Sequence, residues 1–273
     1  TMRRSSGLKM RLILGVVMAV IAVISYYGKT QENPLTGENQ QVGMSPEQEV
    51  AMGLQSAPQM AQEYGGLYPD NKVQQQIKGI GNKLVRSFNK ELQGRGIQNP
   101  YQFDFHVLRD DKTVNAFALP GGQIFITAGL LGRLKSEDQL AGVLGHEIGH
   151  VIHRHSAQQM ASSSFFQGLA GAATAATGSY GGSQIANYVA QVKMMKFGRD
   201  DELESDEFGV NYMIDAGYNA NSMIEVMEIL AEAGGGEMNR DEFMSSHPSP
   251  ANRVSKIKEH IATYGGNSAN AGY

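Results

Sequence analysis

His146-Glu147-Ile148-Gly149-His150 is an H-E-x-x-H pattern in a stretch with helical periodicity. Histidines at this spacing project from one helix face, so both imidazoles can grip one Zn2+. Glu147 sits beside them, where it can act on a water without being a ligand. Two histidines and a glutamate on or beside one face would be a costly way to build an apolar core, which argues against a purely structural role. The pattern also arises by chance, so its weight rests on its surroundings.

The element that must position these residues is legible. Ser136 and Gln139 form an S-x-x-Q capping box at the start of a helix expected over Ser136–His155. Glu137 and Asp138 suit the positive end of its dipole. Leu140, Val143, Leu144, Ile148, Val151 and Ile152 recur at three- and four-residue spacing. Gly142, Gly145 and Gly149 each weaken a helix by about 1 kcal/mol against alanine, which is tolerable if another element packs close.

Zinc requires a third protein ligand. The metzincin pattern places Gly and His where this chain has His153 and Ser156, so that class is excluded. The acidic run Asp201–Gly209 offers carboxylates instead. Glu202 and Asp206 share a helix face: Glu202 can ligate zinc while Asp206 accepts the free N–H of a ligating histidine. Glu204 points away from that face. Most acidic runs are solvated helix faces, and only the upstream motif favours the ligand reading. His153 is the rival ligand, on nearly the same face as His146 but far along the axis. His247 lies in the turn Ser246-His247-Pro248-Ser249-Pro250, ahead of a C-terminal helix containing Arg253. It can stabilise a developing oxyanion, occupy the open zinc position and silence the site, or have no role. His106 is expected in a strand. His155 and His260 are expected at the surface or in structural hydrogen bonds.

A small sheet is expected beside the zinc helix. Tyr101–Leu108 alternates like a half-buried strand. Val114–Ala118 and Gln123–Thr127 flank Pro120-Gly121-Gly122 as a hairpin. A strand edge there can hold an extended peptide by main-chain hydrogen bonds.

Four blocks together resemble a known family. They are Asn115–Ile126 with Thr127–Leu131, Gly145–His150, Glu202–Asp206, and Ser246-His247-Pro248 with Arg253. The chain resembles the CAAX prenyl endopeptidase and HtpX family of zinc metallopeptidases, and within it the periplasmic branch that includes BepA and LoiP. The resemblance implies an α+β, mainly helical gluzincin domain with a small sheet or hairpin beside the zinc helix. It implies a zinc-dependent endopeptidase with one Zn2+ per chain, ligands His146, His150 and Glu202, and catalytic residue Glu147. His247 becomes a site residue, either catalytic or regulating access to zinc. Asp206 and Arg253 would support the ligands, and Asn115, Ala116 and Phe117 would lie on the substrate-binding edge. The implied substrates are polypeptides, namely misfolded or unassembled envelope proteins handled in quality control. The alternative is a zinc-stabilised holdase or assembly factor with latent, His-gated protease activity.

The amino terminus predicts location. Leu12–Gly28 is uncharged and mostly aliphatic, and follows Arg3, Arg4, Lys9 and Arg11. Its length is at the short end for a spanning helix, which needs about 17–25 residues, and exceeds a secretory core of roughly 7–15. A signal anchor or cleaved signal peptide is therefore expected over residues 1–28. The positive flank stays in the cytoplasm, so either reading exports the body; the resemblance implies the periplasm of a bacterial envelope, with residues 12–28 expected to attach it to the inner membrane.

Composition narrows the classes further. The chain has no cysteine, which excludes a disulfide framework, lipoprotein acylation and thiol chemistry. Beyond the four leading basic residues it carries 19 basic against 27 acidic side chains, which disfavours nucleic acid as a partner. At 273 residues, one compact catalytic domain is expected over 45–264. A polar linker is expected over 29–44 and a flexible tail over 265–273. Ser45-Pro46-Glu47-Gln48 reads as a capped helix start. Ser156–Val192 has no charged residue and is rich in small side chains. It predicts two helices joined by a lid over Gly178–Gly182 that could gate the cleft.

Overall fold

Helix α1 (Arg3–Tyr27) leads into a small antiparallel hairpin, β1 (Thr30–Glu32) with β2 (Asn39–Gln41). The computed structural model describes residues 3–174, 196–233, 242–248 and 252–270. The hairpin corrects the expected linker over 29–44. Asn33, Leu35 and Val42 are buried. Asn33 Nδ2 donates to the Ile152 carbonyl at 2.8 Å, and Gln40 Nε2 to the His153 carbonyl at 2.9 Å. A helix leaves its last carbonyls without intrahelical donors. The polar side chains that suggest a linker are the ones that satisfy the end of the motif-bearing helix.

The capped start at Ser45 forms as its sequence predicts. In α2 (Pro46–Glu63), Ser45 Oγ accepts from Gln48 N and Gln48 Oε1 accepts from Ser45 N, with Pro46 opening the helix. Helix α3 (Asn71–Gly94) buries Ile77, Ile80, Leu84, Phe88 and Leu92 at helical spacing. The sheet that follows comprises β3 (Asp104–Leu108), β4 (Ala116–Leu119) and β5 (Gln123–Thr127) in the order β3-β5-β4. Strand β5 is parallel to β3, antiparallel to β4 and buried along its whole length. Strand β4 is therefore an edge.

After the short α4 (Ala128–Leu131) come α5 (Glu137–Ile152), α6 (His155–Thr174), α7 (Arg199–Asp215), α8 (Ser222–Ala233), α9 (Glu242–Ser246) and α10 (Arg253–Asn270). The expected start of the motif helix is present, with one difference. Ser136 Oγ accepts from Gln139 N at 3.2 Å, but Gln139 Oε1 accepts from Lys135 N rather than Ser136 N, at 2.7 Å. The expected single helix over 136–155 breaks at Arg154, whose φ of 58° is left-handed. Such a conformation costs a residue with a Cβ about 1–2 kcal/mol. Arg154 is held there by a buried ion pair: its Nε donates to Glu49 Oε1 at 2.8 Å and its Nη2 to the Met44 carbonyl at 2.6 Å.

The last helix runs to Asn270, so residues 265–270 of the expected tail are helical. The expected lid over Gly178–Gly182 lies outside the described residues. Among the described residues no helix is long and apolar enough to cross a membrane, so the expected anchor gains no support from the fold. Helix α1 does expose Leu14, Val16, Val20, Ile21 and Ile24, and it rests on α6 through Tyr26 stacked on Phe165.

Replacing Glu49 with alanine would leave the Arg154 guanidinium buried without its partner. Removing one member of a buried pair costs about 3–5 kcal/mol. Urea unfolding of Glu49→Ala should show a lower midpoint at unchanged slope, equivalent to that loss of free energy; an unchanged midpoint would mean that the pair is not buried in solution.

Candidate metal centre

Helices α5 and α7 touch almost backbone to backbone. A methyl group on Gly149 would lie 2.8 Å from Ser205 Cα, and one on Gly145 would lie 3.1 Å from Gly209 Cα. The glycines that weaken α5 as a helix are those that admit α7. Glu202, one turn before Ser205, is thereby carried to the two histidines of the motif.

The donor atoms converge tightly. His146 Nε2 lies 3.0 Å from His150 Nε2. Glu202 Oε2 is 3.5 Å from His146 Nε2, and Glu202 Oε1 is 3.5 Å from His150 Nε2. His247 Nδ1 stands 3.3 Å from His146 Nε2, 3.2 Å from His150 Nε2 and 2.9 Å from Glu202 Oε1. Metal bonds of about 2.0–2.1 Å in a tetrahedron put donors about 3.3 Å apart. The set therefore fits a metal ion with four protein donors. Orphaned buried atoms agree, since Glu202 Oε2, Glu147 Oε1 and His247 Nε2 have no hydrogen-bond partner. Glu147 Oε1 lies 3.6 Å from His247 Nε2.

A shell of polar groups orients the cluster. Asp206 Oδ1 is 2.9 Å from His146 Nδ1. Arg253, fully buried, donates from Nε to Asp206 Oδ2 at 2.6 Å and from Nη2 to Asp206 Oδ1 at 2.9 Å. Its Nη1 lies 2.8 Å from Glu202 Oε2, close enough to ion-pair although off the hydrogen-bond direction. Burial pushes the Asp206 carboxyl up, but the Arg253 guanidinium outweighs it and holds the group below its ordinary value. Asp206 is thus an ionised acceptor. Burial also opposes charge on His146, yet Asp206 and Glu202 raise it to about 9. Burial holds His150 well below the ordinary value and raises Glu147. Glu202 is lowered, with the charge of His247 and a hydrogen bond to His146 outweighing burial.

The structure brings together His146, Glu147, His150, Glu202, His247, Asp206 and Arg253, all buried. It does not bring His153 to the cluster. That residue caps the end of α5 and faces Glu204, 3.5 Å from its Nδ1. Burial, then the neighbouring His155, pushes His153 down to about 4. His106 is in β3 as expected, and His260 bonds Asn211 at 2.7 Å.

Asn115, Ala116 and Phe117 lie at the start of the edge strand β4, with Asn115 and Ala116 buried. Asn115 Nδ2 lies 3.3 Å from both Tyr64 Oη and Glu242 Oε2. The carbonyl of Val114, just before the strand, accepts from Phe243 N at 3.1 Å. The segment that carries His247 thus also occupies the beginning of this edge. Phe197 braces the same region: its ring stacks on His150 at 4.0 Å, and its N–H donates to the Ser246 carbonyl at 3.0 Å.

Of the two places expected for His155, the structure shows the structural hydrogen bond, with the residue buried. His155 Nδ1 is 2.9 Å from His150 Nδ1, and His155 Nε2 is 3.0 Å from Glu204 Oε2. The expected orientation of Glu204, away from the ligand face, is compatible with this contact, because His155 follows the left-handed turn at Arg154 rather than continuing α5. A histidine five residues after the motif was the available signal.

Comparison with known proteins agrees with this geometry. The sequence model of Peptidase family M48 matches residues 71–261. The chain belongs to this family. Membership makes it a metallopeptidase by class, with a His/His/Glu cluster that could hold the metal. It is 35% identical over 162 residues to the mitochondrial metalloendopeptidase OMA1 of Schizosaccharomyces pombe, covering 59% of this chain and 47% of that protein. It is 29% identical over 234 residues to the beta-barrel assembly-enhancing protease of Yersinia pestis, covering 82% and 46%. Metalloprotease YcaL of Escherichia coli is 27% identical over 184 residues, covering 66% and 68%. The chain spans about half the length of the first two relatives.

Gly149→Ala tests the helix contact. Alanine should favour α5 by about 1 kcal/mol on propensity, but the added methyl meets backbone, which cannot give way as a side chain would. Overpacking of about 1–3 kcal/mol should win. Denaturant unfolding should show a net loss of stability, and metal analysis after dialysis should show less bound metal than in wild type.

Proposed function

We propose that the protein is a zinc-dependent endopeptidase held in a latent state by His247. His146, His150 and Glu202 hold one Zn2+, and Glu147 is the catalytic residue. The observation that carries this reading is the closed set of four donors, with His247 Nδ1 no more than 3.3 Å from a donor atom of each of the other three residues. Zinc at this site supplies Lewis acidity, polarising a peptide carbonyl and making water easier to deprotonate.

The chain's own residues then divide the work. Asp206 accepts from His146 Nδ1–H and so keeps Nε2 free as a donor to the metal. Arg253 fixes Asp206 and offsets the negative charge of Glu202. Glu147 takes the proton of the attacking water and passes it to the leaving amine. Burial raises its pKa, which strengthens it as a base and suits a group that must also give the proton back. Of the readings for His247, the observed position favours occlusion over oxyanion stabilisation, because its ring stands at the fourth corner. Asn115, Ala116 and Phe117 present the edge on which an extended substrate pairs. Phe243 N–H now occupies the Val114 carbonyl just before that edge.

Substrates and place follow from the relatives and from the amino terminus. The named activities of the relatives support polypeptide substrates, with misfolded or unassembled envelope proteins as the class handled here. The basic flank before the uncharged run Leu12–Gly28 is the sequence feature behind a periplasmic body attached at the inner membrane, although no described helix is long and apolar enough to span one. A holdase or assembly role is favoured by the same closed cluster, since a latent enzyme spends time bound to clients without cutting them.

Cleavage of unfolded casein tests both roles. Glu147→Gln should fold and hold zinc but lose at least about a hundredfold in rate, the scale of a positioned acid–base group. If it cuts as fast as wild type, the catalytic assignment is wrong. His247→Ala should keep its zinc and cleave faster than wild type; slower cleavage would make His247 a catalytic group instead of a gate.

A further inference from the structure

A second set of donors lies on the far side of His150. One donor atom from each of His153, His155 and Glu204 falls within 4.8 Å of the other two. Glu204 Oε2 is 3.0 Å from His155 Nε2 and 3.5 Å from His153 Nδ1. Two more carboxylates stand by, with Glu38 Oε2 4.0 Å from His153 Nδ1 and Asp201 Oδ1 3.9 Å from His155 Nε2. His153 Nδ1 is buried and has no hydrogen-bond partner. Three elements contribute: the end of α5, the start of α6 and the first turns of α7. Two imidazoles and a carboxylate are the donor chemistry of zinc-type divalent ions.

We propose that His153, His155 and Glu204 form a second divalent-metal site whose filling weakens the first. The binding claim stands on these residues alone; the antagonism rests on His150 being a metal ligand as proposed above. The link is the single proton of a neutral imidazole. With metal on His150 Nε2, its proton sits on Nδ1 and is donated across 2.9 Å to His155 Nδ1. The proton of His155 then sits on Nε2 and is donated to Glu204. A metal on His155 Nε2 needs the lone pair there, so that proton moves to Nδ1. Two N–H groups now face each other across the His150–His155 contact, and the bond that orients His150 is lost. Losing such a partner typically costs about 10–100-fold in metal affinity or activity. Linkage makes the effect mutual, so metal in the first site weakens the second by the same factor.

The test uses the full chain loaded with one equivalent of Zn2+, then titrated with Zn2+ alone. Bound metal is measured after equilibrium dialysis, and casein cleavage is followed in parallel. Wild type should take up a second, weaker equivalent, and cleavage should fall about tenfold or more as it fills. His153→Ala, and independently His153→Gln, should stop at one equivalent, keep basal cleavage and resist excess zinc. A wild type that saturates at one equivalent overturns the proposal, as does a second equivalent that persists in both variants. Uptake of a second, His153-dependent equivalent with no casein cleavage by wild type or by His247→Ala would uphold the site and count against the peptidase reading instead. Such uptake with cleavage unchanged would uphold binding and overturn the antagonism.

Discussion

The separation between α5 and α7 sets everything at this centre. Glutamate is a short reach for a ligand shared with two histidines on another helix. It spans the gap only because Gly145 and Gly149 oppose Gly209 and Ser205 with almost no side chain between them. Once that contact is made, helix periodicity determines the rest. Asp206 follows Glu202 by one turn and meets His146 from behind. Glu204, on the other side of α7, meets His155. The same register thus supplies the cluster's carboxylate and the groups behind both histidines.

Charge then explains why Arg253 must be there. Glu147, Glu202 and Asp206 are each almost fully buried, and the one neighbouring guanidinium is fully buried too. Three ionised carboxylates against one arginine leave two negative charges in a poorly solvated space, which a divalent cation would cancel. Buried charge without compensation is expensive, so in the absence of a cation protons take up the strain. The raised values of His146 and Glu147 are the signs of this. The charge of the centre would suit a divalent cation.

The parts of this arrangement that were legible in sequence are those with a local period. The H-E-x-x-H spacing, the four-residue step from Glu202 to Asp206, the hairpin around Pro120-Gly121-Gly122 and the Ser45 cap each follow from geometry within one element. What could not be read depends on contacts between distant segments. Residues 29–44 looked like a linker because Asn33 and Gln40 are polar, and only their placement shows them capping Ile152 and His153. The partner of His155 is not legible in the sequence because the left-handed turn at Arg154, held by Glu49 from another helix, is invisible to helical periodicity. The role of His247 was undecidable for the same reason: proline-rich turns fix local shape but not where the turn docks.

That docking couples two functions of the α9 segment under the proposed reading. Phe243 N–H engages the Val114 carbonyl at the edge strand, while His247, one helical turn later, meets the metal donors. The Phe243 ring stacks on His247 at 4.4 Å, so the two contacts share one rigid piece. An incoming peptide that pairs as far as the Val114 carbonyl would displace Phe243 N–H, and a displaced Phe243 would no longer support His247 over the cluster. Occupation of the substrate edge would therefore open the fourth metal position from the same movement. The energy for opening comes from main-chain hydrogen bonds, which any extended polypeptide can offer. A gate of this kind responds to unfolded backbone rather than to a particular side chain, which suits an enzyme whose clients share a lack of structure more than a sequence.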